Sequence, residues 1–348
     1  MEMNLGTLLS TTALLAFAAG AANAEGKLNI YNWTDYTSPD VIAKFEKETG
    51  IKVTLDTYDS NETLLAKLQA GATGYDIIIP THNFVPIFIE EGLVQEVGAS
   101  ALPNYANVDE RWRNPAWDPE EKYTAPFHMG STSVAYRRDL YGKDMTSLGE
   151  YFEPAPEVQG RISAFKTPEE MVNLAHLYLG QDFCNEDPAA MQKVQDLLVA
   201  QKPHVMAYSS EGMNDRLVNG DVIMTAHWNG YALKGRELGK EQGQDVVYAY
   251  PKEGVIGWMD NIMIPTAAEN IDNARAFINF MMDPENMGLQ SNFTGYGNAI
   301  TGSDQFMTEE LRTAPEINPP AGAKMVFSFA CNAESQGLID RVWTNVLR

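Results

Sequence analysis

Past a long N-terminal apolar run, the chain alternates apolar and polar positions at 27–31 (Lys-Leu-Asn-Ile-Tyr), which predicts a strand. Ser38 and Pro39 then supply a helix N-cap and a proline at the first helical position. Val41, Ile42 and Phe45 form a helical stripe, and Gly50 follows the last turn. A second strand is predicted at 51–55. Ser60 caps a second helix with Glu62 in its first turn, Leu64, Leu65 and Leu68 on one face, and Gly71 beyond its end. Asp76-Ile77-Ile78-Ile79-Pro80 reads as a strand buried on both faces. Strand and helix alternate with short connections, so this half predicts a doubly wound α/β lobe, whose ligands sit beyond the carboxyl ends of the strands. Both the Asn32-Trp33-Thr34-Asp35-Tyr36 stretch and the Thr81-His82-Asn83 stretch follow strands and fall on that rim.

A loop rich in Pro, Asp and Trp follows at 106–123, and 130–136 resembles a strand able to cross to a second lobe. That lobe shows helical patterns at 168–179 and 189–200 and strands at 222–226 and 245–250. Val255-Ile256-Gly257-Trp258 begins a return crossing. An apolar helix is expected at 271–282, capped by Asn270 or Asp272.

Residues 1–24 read as a secretory signal peptide: 8–22 is apolar or small almost throughout, and Ala22-Asn23-Ala24 fits the small-x-small cleavage rule. Its first residues carry Glu2 and neither Lys nor Arg. Removing it leaves 324 residues, more than one core usually serves. No later stretch reaches 18 uninterrupted apolar residues. The 25 Lys and Arg face 47 Asp and Glu, a formal net charge of −22. Such a surface repels nucleic acid and anionic lipid and raises the local concentration of cations. Cys184 and Cys331 are compatible with one disulfide in an oxidising compartment or with two buried thiols.

The five histidines lack the spacing of a metal site, and no GxSxG elbow, phosphate loop or dinucleotide-binding GxGxxG is present. No metal and no cofactor is expected. Glu169 and Glu170 diverge by about 100° on a helix and read as part of a solvated face, so an enzyme is disfavoured. Aromatic residues beside acids and small polar groups do recur at predicted strand ends: Trp33, Asp35 and Tyr36; Trp228 to Tyr231; Trp258 and Asp260; and Tyr296 between two glycines. Ring faces attract a cation, and a carboxylate in a closing cleft adds a charge-assisted hydrogen bond. Together they describe a cage for an alkyl-ammonium.

The stretches "LNIYNWTDYTSPDVIAKFEKETGIKVTLDTYDSNETLLAKLQAG", "YDIIIPT", "AHWNGYA", "YPKEGVIGWMDNIMIPTAAEN" and "TGYGN" resemble the polyamine (spermidine/putrescine) substrate-binding proteins of bacterial ABC transporters across nearly the whole mature chain. The resemblance implies an α/β protein of the type II periplasmic-binding-protein fold, two doubly wound α/β lobes joined by crossing strands. Lobe 1 would hold 25–129 plus 256–298, and lobe 2 130–255 plus 299–348. It implies a periplasmic, monomeric receptor that closes on a small cationic amine, putrescine or spermidine, and delivers it to an inner-membrane ABC permease. The alternatives are a receptor for a quaternary ammonium or an amino-acid-like cation, and, less favoured, an extracytoplasmic amine-processing enzyme.

Carried over position by position, the aromatic walls fall on Trp33, Tyr36, Trp228, Trp258 and Tyr296. The amine-binding acids fall on Asp260 and Glu170, the small polar contacts on Thr34, Thr81 and Ser210, and Asp35 matches an acidic position. Three positions depart from the pattern. Thr167 stands where spermidine-type members carry an acid, Tyr231 where putrescine-type members carry Asp, and Asn83 where a rim tyrosine is found. These departures predict a pocket poorer in anions and no poorer in rings than either type, suited to a diamine with fewer direct ion pairs or to another cationic solute such as a methylated ammonium.

Overall fold

Ser38 opens the first helix, Pro39–Thr49, its hydroxyl accepting the Val41 N–H, and Gly50 ends it in the left-handed region at φ 76°. Ser60 accepts the Thr63 N–H to cap Asn61–Gln69 in the same way. The computed structural model describes residues 26–348, so the leader inferred at 1–24 lies outside the described residues.

The first strand, Lys27–Trp33, lies between Lys52–Tyr58 and Ile77–Ile78, parallel to both. The apolar run at 76–80 is a regular strand only at Ile77–Ile78. Asp76 is diverted, its carboxylate accepting the backbone N–H of Asn29 (2.9 Å) and of Asn270 (2.9 Å). Pro80 has no N–H to give a ladder. The segment continues instead as a seam against residues 260–263, with bridges Ile78–Met263 and Thr81–Asp260. Asn270 precedes the helix Ile271–Met281, as expected, but makes no side-chain cap; its amide nitrogen donates to the Asp76 carboxylate.

A second sheet is built around Ala125–Arg137, antiparallel to Val255–Ile262 on one side and to Met224–Trp228 on the other. Ile162–Ala164 and Val205–Tyr208 extend it in parallel beyond Met224–Trp228. The two long strands join two apolar cores. Ala125–Arg137 gives Phe127 to a core with Leu28, Ile30 and Phe45, and Val134 to a core with Phe152, Leu174 and Trp343. Val255–Ile262 does the same with Ile262 and Ile256. These are the crossing strands, and the fold is the type II arrangement that the sequence implies. The strand predicted at 222–226 is found two residues later because the Val222 and Ile223 N–H groups bond to Arg216 and Arg161 carbonyls.

Cys184 and Cys331 form a disulfide with Cα atoms 5.0 Å apart. It ties the loop after the helix Pro168–Leu179 to the start of the C-terminal helix Ala333–Leu347 across a separation of 147 residues. Replacing both cysteines by serine should lower stability by about 2–4 kcal/mol. Scanning calorimetry with and without reductant would show this as a lower Tm. An unchanged Tm would mean that the bond adds no stability.

Candidate functional site

One cavity of about 430 Å³ lies where the two crossing strands meet the carboxyl ends of the first sheet. All thirteen residues singled out in the sequence border it: Trp33, Thr34, Asp35, Tyr36, Thr81, Asn83, Glu170, Ser210, Trp228, Tyr231, Trp258, Asp260 and Tyr296. Register explains how distant segments converge. Thr132 pairs with Trp228 on one neighbouring strand and with Ile256 on the other, and Trp258 pairs with Gly130 two positions along, so the two strands' aromatic residues lie close together.

Two glycines make room for the rings. A Cβ at Gly130 would lie 2.4 Å from the Trp258 ring, and one at Gly230 would lie 2.4 Å from the Tyr296 ring. Tyr296 meets Trp258 edge-on at 5.2 Å and Tyr36 at 5.5 Å between ring centroids. Trp33 is held from outside, its indole N–H donating to the Ile79 carbonyl at 2.9 Å. The turn after it needs Asp35 at φ 56°, a left-handed position that Asp tolerates better than most residues. Thr34 and Asp35 are exposed at the rim.

Asp260 is 4 % exposed. Its carboxylate accepts the Tyr36 hydroxyl at 2.8 Å and the Thr81 hydroxyl at 2.8 Å. Burial pushes its pKa up to about 7, against the pull of those two donors. Glu170 is built similarly. It accepts the Trp228 indole N–H at 2.5 Å, the Thr167 hydroxyl at 2.9 Å and the Thr132 hydroxyl at 3.3 Å. Burial raises it to about 7 as well, with the Glu62 charge adding to the rise. Thr167, where an acid was missing, therefore acts as a donor to Glu170.

Two acids that the sequence reading did not count, Glu62 and Glu169, border the same cavity. Glu169 and Glu170 also do not form a solvated face. They occupy the first turn of Pro168–Leu179, whose N-terminal end meets the cavity, so side chains that diverge on the helical wheel both reach it. Among the described residues, none of Glu62, Glu169, Glu170 and Asp260 is within 4 Å of a Lys, Arg or His nitrogen. The two lysines on the cavity wall are used elsewhere. Lys166 is paired with Asp59, and Lys234 lies 5.0 Å over the Phe293 ring, its pKa lowered by burial.

Sequence reasoning missed Glu62, Glu169, Asp59 and Lys166 as cavity residues. Glu62 was visible only as a first-turn acid, a position that the helix dipole favours anyway. The histidines take structural roles: His82 Nε2 meets the Ser328 carbonyl at 2.7 Å, so it carries the proton, and burial lowers the ring to about 4. No group of three or more His, Cys, Asp or Glu suited to a metal is found among the described residues.

Residues 40–319 match the family model of the bacterial extracellular solute-binding proteins. The chain is 32% identical over 356 residues to the putrescine-binding periplasmic protein SpuD of Pseudomonas aeruginosa, covering 98% of this chain and 97% of that one. It is 33% identical over 355 residues to the putrescine-binding periplasmic protein PotF of Escherichia coli, covering 96% and 95%. Among solved structures, the spermidine/putrescine ABC transporter substrate-binding protein PotD of Streptococcus pneumoniae superposes with a TM-score of 0.78 at 26% identity, covering 92% of this chain and 98% of that one. A family match over residues 40–319, with relatives about a third identical over nearly their full length, places the chain in the family of bacterial extracellular solute-binding proteins.

Proposed function

We propose that this chain is a periplasmic receptor that captures a polyamine of the putrescine or spermidine class between its lobes and presents it to an ABC permease. The observation that carries the reading is the pair of carboxylates in the cleft, Asp260 buried and Glu170 half-buried, each met by neutral donors beside aromatic rings. A carboxylate desolvated this far is costly to ionise unless a cation meets it. An alkyl-ammonium satisfies both parts of the wall. Its methylenes pack on Trp33, Trp258 and Tyr296, and its charged ends meet the acids. The names of the relatives agree with this ligand class.

The lobes are taken as 25–129 with 256–298 and 130–255 with 299–348, closing about the crossing strands. Thirteen residues, the aromatic walls with Asp35, Glu170, Asp260 and the small polar positions, are assigned to ligand contact. The signal at 1–24 would export the chain, which then acts as a monomer.

Asp260→Asn keeps the shape of the site and removes its charge. It should weaken putrescine or spermidine binding by about 2–5 kcal/mol in isothermal titration. Affinity unchanged by that substitution would remove Asp260 from the ligand site.

The pH dependence follows from the same groups. Asp260 and Glu170 are raised to about 7 in the folded protein, above ordinary carboxyl values. Their protonated forms therefore favour the ligand-free fold at low pH, a contribution lost as pH rises through about 7. Affinity for a cation runs the other way, since an alkyl-ammonium stays charged while the acids ionise. Binding should tighten about tenfold for each such carboxyl that meets an ammonium as pH rises from 6 to 8. A flat or falling affinity over that range would contradict the assignment.

A further inference from the structure

The acids do not line the whole cavity. Its 430 Å³ falls in the range of sites for drug-sized ligands, which leaves wall beyond them. Glu62 and Glu170 both act on Glu169, so these three lie at one end. Asp260 and Glu170 both act on Tyr296, which packs against Gly230 at the start of the helix Asn229–Glu241.

Past Tyr296 the wall changes sign. Tyr231 and Lys234 stand one turn apart on the same face of that helix, and both border the cavity. Lys234 is half-buried, with its ammonium 5.0 Å over the Phe293 ring. Among the described residues no carboxylate lies within 4 Å of that ammonium. The acids acting on it from further away are Asp35, exposed at the rim, and Glu237. Lys166, the other lysine of the wall, is by contrast paired with Asp59. A cation without a counter-ion is therefore built into a cleft that otherwise suits cations. A partly desolvated ammonium gains from an acceptor oxygen and loses from a second ammonium.

We propose that Lys234, with the Tyr231 hydroxyl on the same wall, receives an oxygen-bearing end of the ligand, so that the site selects a polyamine acylated at one terminal nitrogen over the same polyamine with that nitrogen free. The inference rests on the reading of the cleft as an amine site and adds the chemistry of the ligand's remaining end. Acylation turns a cationic donor into a neutral amide whose carbonyl accepts hydrogen bonds. The remaining ammonium groups meet Asp260 and Glu170, and the acyl oxygen meets Lys234. An unmodified triamine in the same pose sets its third ammonium against Lys234, which acts against the wrong ligand as much as for the right one. The competing account is structural: Lys234 covers Phe293 and steadies Asp35 at the mouth. That role would change the affinity of every amine by the same factor.

The test is isothermal titration of the full mature chain with spermidine, both of its terminal mono-N-acetyl isomers and both mono-N-succinyl isomers, with putrescine as a reference amine. The wild type is compared with Lys234→Met, which keeps an apolar stem over Phe293 and removes the charge, and with Lys234→Gln. Ligand-free melts confirm that each variant folds. The wild type should bind the better acetyl or succinyl isomer about tenfold more tightly than spermidine. Either variant should cut that preference about tenfold, chiefly by weakening the acylated ligand. A succinyl isomer that binds more tightly than its acetyl counterpart would assign a carboxylate to the end beside Lys234, and the reverse order would assign a neutral acyl group. A wild type that prefers spermidine to all four acylated isomers, or variants that change every amine by the same factor, would overturn the inference while leaving the polyamine reading standing. A wild type that binds none of these amines would overturn both.

Discussion

A carboxylate that is 4% exposed and held only by neutral donors is the constraint on which the cleft depends. Tyr36 and Thr81 can orient Asp260, but they cannot neutralise it. In the ligand-free protein it resolves the conflict by holding its proton near neutral pH. Glu170 does the same behind Trp228, Thr132 and Thr167. The rings are therefore more than cation-π surface. By excluding water they raise the acids, and raised acids reward a permanent cation more than exposed ones would. A surface carboxylate next to a lone tryptophan would lack this leverage.

The crossing strands make such burial possible. They bring Thr132, Trp228 and Ile256 into register, so one side chain from each of three strands meets at the same height. Gly130 and Gly230 then leave the volume that Trp258 and Tyr296 fill. The acidic surface acts at longer range, enriching cations near the mouth, where Asp35 and Thr34 are exposed.

The first lobe was legible because caps and periodicity agree there. Ser38, Pro39, Gly50 and Ser60 each serve the local geometry that their type favours. The strand at 76–80 was overread, because an apolar run does not reveal that Asp76 is committed to Asn29 and Asn270 or that Pro80 must face a seam. The aromatic walls were legible through motif likeness. The acid count was not. Thr167 and Asn83 announced a missing acid and a missing ring, but not that Glu169 two residues on would take up the amide of Asn83. Helical-wheel reasoning assigns a side chain an azimuth and ignores the end of the helix. At an N-terminus directed into a cleft, adjacent first-turn side chains such as Glu169 and Glu170 can both reach it, and the dipole favours acids there.

Contacts across the cleft suggest why capture and closure go together. Asp59 follows a first-lobe strand and Lys166 precedes a second-lobe helix, yet their paired side chains are 38% and 43% exposed. A pair that wet contributes at most about 1 kcal/mol. The hydrogen bond from Asn83 to Glu169 competes with protonation of that acid. Neither contact holds the lobes strongly by itself. A ligand that touches Asp260 from one lobe and Glu170 from the other gains both charge-assisted bonds only in the closed form, so its binding energy falls on the closed state alone. On the proposed assignment of Asp260 and Glu170 to ligand contact, a loaded receptor would stay shut more firmly than an empty one, the difference a permease would have to sense.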